Sequence, residues 1–182
     1  TGQIAYRPGG TMASAESFRI VIKGKQAHGA YPWSSVDPIV TATQVVMGLQ
    51  TIVSRNVELT EGAAVVSVGR INGGVRSNII PEQVELEGTL RALNEETRIL
   101  LRERVRAVAT QIAGAMGATV DVTVPDGVAY PVTFNDPELT ARMLPSLQRA
   151  AGAENVLLRP AVTGAEDFSF FAQKAPGLFV FL

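Results

Sequence analysis

Ser17-Phe18-Arg19-Ile20-Val21-Ile22-Lys23 alternates apolar and polar side chains, and Gly24-Lys25-Gln26-Ala27-His28-Gly29-Ala30-Tyr31-Pro32 follows directly. A period of two predicts a strand with Phe18, Ile20 and Ile22 on one face. Gly24 ends it. His28 is the only histidine in 182 residues, and its small neighbours Ala27, Gly29 and Ala30 leave the imidazole uncovered. Pro32 fixes its own backbone and biases Tyr31 toward an extended conformation, so the sequence presents His28 on a loop. An imidazole near neutral pH can carry a proton, bind a metal or donate a hydrogen bond to developing negative charge. A zinc site takes about three or four nitrogen, sulfur or carboxylate ligands, and there is no cysteine or second histidine to supply them. Donation to an oxyanion is the role best suited to His28 if it works at all; the alternative is an incidental loop histidine.

Outward from this stretch the pattern switches between helix and strand. Asp37 is an N-cap candidate with Pro38 at the first helical position. The helix it opens runs to about Ser54, with Ile39, Val40, Thr43, Val46, Met47, Gln50 and Val53 as its predicted inward stripe and Met47 as core filler. Residues 63–71 read as a second strand, and Asn72-Gly73-Gly74 as a turn. After the polar trio Arg76-Ser77-Asn78, a third strand alternates over residues 84–91 and puts Arg91 on its polar face. Asn94 caps a helix over residues 95–116, whose predicted stripe is Leu101, Val105, Val108, Ile112 and Met116. Gly117 stops it, and residues 118–124 form a fourth strand. Strand, helix, strand, strand, helix, strand over residues 15–125 is the split βαβ, ferredoxin-like arrangement: a four-stranded antiparallel sheet with both helices on one face. The fold class is therefore α+β.

The flanks differ in character. Residues 1–14 are a turn-rich lead-in. From residue 126 the chain is expected to form a helix over 138–151, a short strand at 155–158, a loop at 164–167 turning into a short helix from Phe168, and a last strand over 178–182, too little to close a core by itself. Phe168, Phe170 and Phe171 are expected in the core.

Composition narrows the function. Sixteen basic residues balance 17 acidic ones for a net charge of −1, with no basic footprint for nucleic acid. No apolar run approaches the roughly 20 residues of a bilayer span. Zero cysteines exclude a disulfide framework and thiol chemistry within the chain but leave the compartment, cytoplasmic or exported, open. The opening Thr1-Gly2-Gln3-Ile4-Ala5 lacks an initiator methionine, and Gly177-Leu178-Phe179-Val180-Phe181-Leu182 stops in an apolar run; both ends read as cut from something larger.

His28-Gly-Ala-Tyr-Pro32, Asp37-Pro38, Gly69 with Asn72-Gly73-Gly74, Ser77-Asn78-Ile79-Ile80-Pro81, Gly88-Thr-Leu-Arg91 and Gly164-Ala-Glu166-Asp167-Phe168 stand in this order across nearly the whole chain. Together they resemble the M20 family of metal-dependent amidohydrolases and peptidases, in its aminoacylase-, hippurate-hydrolase- and auxin-conjugate-hydrolase-like branch. The resemblance implies a ferredoxin-like lid or dimerisation domain, residues 15–125, inserted into a catalytic α/β domain of which 1–14 and 126–182 are incomplete parts. It implies a divalent metal, zinc or manganese, in the parent enzyme, with ligands and general base outside this sequence, so that the chain alone binds none and is inactive. It implies a homodimer in which His28 reaches the partner subunit's active site and hydrogen-bonds the oxyanion formed as metal-bound water attacks the scissile amide. Asn78 and Arg91 match positions that grip the substrate's carboxylate or oxyanion; the plainer readings are an Asn holding its own turn and an Arg paired with Glu85 or Glu87. Gly164 and Glu166 match a segment lining the cleft, with Asp167 capping the helix after it. The implied activity is hydrolysis of N-acyl amino acids or peptides. Two other readings compete: a catalytically inactive dimerisation module, and an RNA-binding ferredoxin-like domain, disfavoured because the strands offer no exposed aromatic pair for base stacking.

Overall fold

The 182-residue chain was analysed as a computed structural model that describes residues 2–58, 60 and 62–182; Thr1, the first residue of the predicted lead-in, lies outside them. The chain opens with β1 (Ile4–Tyr6) and β2 (Gly9–Met12) and continues into β3 (Glu16–Lys23) and β4 (Ala27–His28). Then come α1 (Pro38–Asn56), β5 (Ala64–Gly73), β6 (Ile79–Ile80), β7 (Gln83–Ala92), α2 (Glu95–Ala115) and β8 (Thr119–Thr123). The last part holds β9 (Thr133–Asn135), α3 (Pro137–Ala151), β10 (Val156–Leu158) and α4 (Phe168–Ala172).

The predicted alternation is what builds the sheet. Phe18, Ile20 and Ile22 of β3 and Val84, Leu86 and Leu90 of β7 are all buried on the side that α1 and α2 cover. The four long strands stand in the order β5-β7-β3-β8, each neighbour antiparallel. This is the expected ferredoxin-like sheet. At its centre Gly88 lies opposite Phe18, and a Cβ there would fall on the Phe18 ring and on the Ser67 carbonyl. The aromatic ring uses the space that the glycine leaves.

Both helices start as the sequence indicates. The Asp37 carboxylate accepts the N–H groups of Ile39 at 2.8 Å and Val40 at 3.2 Å, with Pro38 at the first turn. Asn94 accepts from Thr97 at 2.7 Å, with Glu95 and Glu96 in the first turn of α2, where negative charge meets the positive end of the helix dipole. Gly117, at φ +76, follows the end of α2.

The inward face of α1 differs from expectation. Thr41, Ala42, Val45, Leu49 and Ile52 are buried, whereas Ile39, Val40 and Met47 are 43%, 45% and 68% exposed. Two stripes with three- and four-residue spacing coexist on this helix, and periodicity does not rank them. The stripe containing the small Ala42 and Thr41 packs inward, and Met47 is no core filler. On α2, Leu101, Val105 and Val108 are buried as expected and Ile112 packs against the core, but Met116, past the last helical residue, is 42% exposed.

The flanks pair with each other. β1 runs parallel to β10, and β2 antiparallel to β9. The buried Asn135 side chain donates to the carbonyls of Arg7 (2.8 Å) and Phe179 (2.9 Å) and accepts the Phe179 N–H at 2.6 Å. That amide substitutes for a neighbouring strand, which is why the expected strand over 178–182 does not form: only Phe181 pairs, with Ala5. Phe168 is half-buried against Phe179, but Phe170 (42% exposed) and Phe171 (71%) are not core. Among the described residues, no helix is long and apolar enough to cross a membrane.

Candidate functional site

The short pairing of β4 with β6 holds His28 opposite Ile79. Gly29 then donates its N–H to the Asn78 carbonyl at 2.7 Å; a Cβ on Gly29 would sit 3.2 Å from that oxygen, so a side chain there would press the two loops apart. His28 is exposed. Its Nδ1 accepts the Ala30 N–H at 3.1 Å, which places the neutral ring's proton on Nε2 and leaves Nε2–H as an outward donor. The Asn78 side-chain amide is exposed and makes no hydrogen bond to the described residues, so it does not hold its own turn. Two exposed donors thus lie on adjoining segments at one end of the sheet, His28 opposite Ile79 and Asn78 opposite Gly29.

Arg91 stands at the other end. Its neighbour Leu90 pairs with Glu16, the first residue of β3, while His28 follows Lys23, the last. At about 3.3 Å per residue the seven intervening steps separate the two ends by about 23 Å. Arg91 is half-buried and, among the described residues, pairs with no carboxylate. Glu85 and Glu87 are taken by other arginines: Arg19 binds Glu85, and Arg70 reaches Glu87 at 2.8 Å and Glu85 at 3.5 Å. The hydrogen bond from Arg19 holds the Glu85 carboxyl below its ordinary range, against a smaller opposing effect of burial.

The Gly164–Glu166 loop also lies at the Arg91 end. Val162 exchanges hydrogen bonds with Thr11 (3.1 Å) and Ala13 (3.0 Å), and the next residue, Ser14, donates to the Ala92 carbonyl at 2.8 Å. Gly164 is exposed and Glu166 half-buried, with one Glu166 carboxylate oxygen accepting the Asp167 N–H at 3.0 Å. Asp167 precedes α4 but makes no side-chain capping bond, contrary to expectation: the bond at this turn comes from Glu166, whose side chain already folds onto it.

The same end carries a charge cluster that local sequence patterns do not reveal. Glu16 is 2% exposed, bound by Arg98 and by Arg102, the latter at 2.7 Å through Nε, while Arg98 also pairs with Glu95 at 2.8 Å. Burial pushes the Glu16 carboxyl up, but the hydrogen bonds and charges of Arg102 and Arg98 together outweigh it and hold it below its ordinary value. Both of these arginines are thereby neutralised. Also unforeseen is a row of rings, His28, Tyr31 and Trp33, at the opposite end; aromatic residues on both sides of Pro32 were the available signal.

Among the described residues no three His, Asp or Glu side chains converge as a metal site, so the residues in hand do not fit a metal centre. The arrangement can donate hydrogen bonds to an oxyanion at one end and bind an anion at the other.

Comparisons with known proteins bear on what these ends belong to. Residues 13–116 match the peptidase dimerisation domain family of M20 proteins. The chain is 37% identical over 182 residues to thermostable carboxypeptidase 2 of Saccharolobus solfataricus, covering all of this chain and 45% of that protein. It is 36% identical over 181 residues to N-acetyldiaminopimelate deacetylase of Leuconostoc citreum, covering all of this chain and 46% of that one. It superposes with a TM-score of 0.73 and 33% identity on the crystal structure of Bacillus subtilis YXEP, a dinuclear metal-binding peptidase of the M20 family, covering 98% of this chain and 43% of that one. The chain thus spans about half the length of the curated relatives it matches. With more than half of its residues inside the matched domain, the chain belongs to the M20 family of metal-dependent peptidases and amidohydrolases.

Proposed function

We infer that this chain is the lid-bearing part of a dimeric hydrolase that cleaves the amide bond of N-acyl amino acids or peptides, in an active site shared between two subunits. The observation that carries this is the separation of about 23 Å between His28 with Asn78 and Arg91 with the Gly164–Glu166 loop. One small substrate cannot touch both ends of one sheet. In a two-fold dimer that pairs the two lids antiparallel, the far end of one lid lies beside the near end of the other. His28 Nε2–H and the Asn78 amide then donate to the oxyanion that develops at the scissile carbonyl, while Arg91 of the other subunit grips the substrate's carboxylate as a guanidinium fork. Gly164 and Glu166 line the cleft beside it.

Residues 15–125 are the lid on this reading, and 1–14 with 126–182 are catalytic-domain segments. The pairing of β1 with β10 and β2 with β9, away from the four-stranded sheet, supports that division. The parent enzyme uses a divalent metal, zinc or manganese, held outside this chain, and the chain alone is inactive. A homodimer through the lid is supported by the edge strand β5, whose outer side has no strand partner among the described residues. Unpaired edges of this kind template pairing with a second chain. Beside it the exposed Met47 and Val40 continue a shallow groove lined by Ile39, Thr43 and Ile71.

Subunit mixing tests the reading. Full-length His28→Ala and Arg91→Ala enzymes are each expected to be inactive. Dissociated and reassociated together, they should recover about a quarter of wild-type activity, since half the dimers are mixed and each has one intact site. No recovery places His28 and Arg91 in the same subunit's site and refutes the shared arrangement.

A further inference from the structure

Three rings stand in a row from the oxyanion donor outward. The His28 and Tyr31 ring centroids are 5.8 Å apart, and Tyr31 and Trp33 5.6 Å apart at 84°, edge to face. Trp33, the sole tryptophan of the chain, is 78% exposed and Tyr31 56% exposed. The backbone beneath them is tightly held. Tyr31 donates its N–H to the His28 carbonyl at 2.8 Å, Pro32 opens a single 3₁₀ turn over Pro32–Ser34, and the hydroxyls of Ser34 and Ser35 donate to the carbonyls of Tyr31 (2.8 Å) and Pro32 (2.7 Å). Among the described residues, no ring contact reaches from Tyr31 or Trp33 into the core. A hydrogen-bonded loop that offers two exposed aromatic rings is suited to contact, since burial within the fold would have covered such large apolar surfaces.

We propose that Tyr31 and Trp33 form a shelf that selects the group attached to the scissile carbonyl, favouring flat aromatic or extended apolar acyl groups over acetyl. This rests on the shared-site reading above. There the carboxylate end of the substrate goes to Arg91 and the carbonyl oxygen to His28, so the acyl group is the part left to meet what adjoins His28. Aromatic faces and edges attract flat rings beyond simple area burial.

The test uses the full-length dimer and two substrates that differ only in the acyl group, N-benzoylglycine and N-acetylglycine. Trp33→Ala should lower the benzoyl-to-acetyl ratio of kcat/KM about tenfold, the loss of one aromatic contact. Tyr31→Ala should move it the same way, and Trp33→Phe should keep most of it. An unchanged ratio, an equal loss on both substrates, or dissociation of the Trp33→Ala dimer in sedimentation would each overturn the shelf, the last by making Trp33 a subunit contact. A Trp33→Ala preference that instead follows the amino-acid side chain, N-acetylphenylalanine against N-acetylglycine, would overturn the acyl-side assignment. The outcomes separate from those of the parent reading: activity recovered on subunit mixing with an unmoved ratio removes the shelf alone, while failure of mixing removes the shared site and the shelf with it.

Discussion

Glu16→Gln replaces the buried carboxylate at the start of β3 with a neutral side chain of the same shape. In the native protein this carboxylate is 2% exposed and is bound by Arg98 and Arg102, 82 and 86 residues away. Removing one partner of a buried ion pair costs about 3–5 kcal/mol because the remaining charges keep their desolvation cost. Arg98 retains Glu95, and the Arg102 side chain is 30% exposed, so the low end applies, about 3 kcal/mol. For a chain of this length that lowers Tm by about 6–12 °C at neutral pH, measured by thermal unfolding followed by circular dichroism. The pH dependence has a definite sign. The folded-state pKa of Glu16 lies below its ordinary 4.5, so its contribution is complete above the unfolded value and is lost as pH falls through the folded one. Wild type and variant should therefore converge on acidification. Equal Tm values at pH 7, or a gap that persists undiminished in acid, would show that the cluster is not what holds β3 to α2.

Three further outcomes follow from the fold and the site. Gly88→Ala places a methyl group on the Phe18 ring and the Ser67 carbonyl and should destabilise the chain by about 2 kcal/mol; unfolding in urea with an unchanged midpoint would refute the close approach. Met47→Glu on the exposed stripe of α1 should leave the monomer's stability within about 0.5 kcal/mol while shifting the full-length protein toward monomer in sedimentation; an unaltered dimer would move the interface away from α1. Arg91→Lys keeps the charge but loses the fork, so in the full-length enzyme KM for an N-acyl amino acid should rise about tenfold with kcat less affected, and an unchanged KM would release Arg91 from the carboxylate.

The sheet and both helix caps were legible because each is written locally. Alternation over Phe18, Ile20 and Ile22 fixes one face of a strand, and Asp37-Pro38 or Asn94 with Glu95 and Glu96 marks a helix start within a single turn. What escaped is what distance along the chain conceals. α1 carries two equally spaced apolar stripes, and only the partners it meets decide that Ala42, Val45 and Leu49 go inward while Met47 stays out. The Glu16 cluster joins residues more than 80 positions apart, which no local period records. The final strand fails because one side-chain amide, Asn135, occupies the backbone of Phe179 from 44 residues away.

The site shows the same division in a sharper form. His28, Asn78 and Arg91 stand out in the sequence by their motifs, and their order says nothing of their separation. Asn78 and Arg91 are thirteen positions apart in the sequence, but β7 runs the length of the sheet between them, so residues close in sequence end at opposite poles. Extended strands turn sequence proximity into spatial distance at more than twice the rate of a helix. Groups set at the two ends of such a strand, Asn78 before it and Arg91 near its close, cannot both reach one small molecule within their own subunit. In the antiparallel dimer of the proposed reading, each pole lies beside its opposite. On the shared-site reading proposed above, pairing of two copies is a condition of a complete site, and the mixed dimer is the experiment in which that condition is exposed.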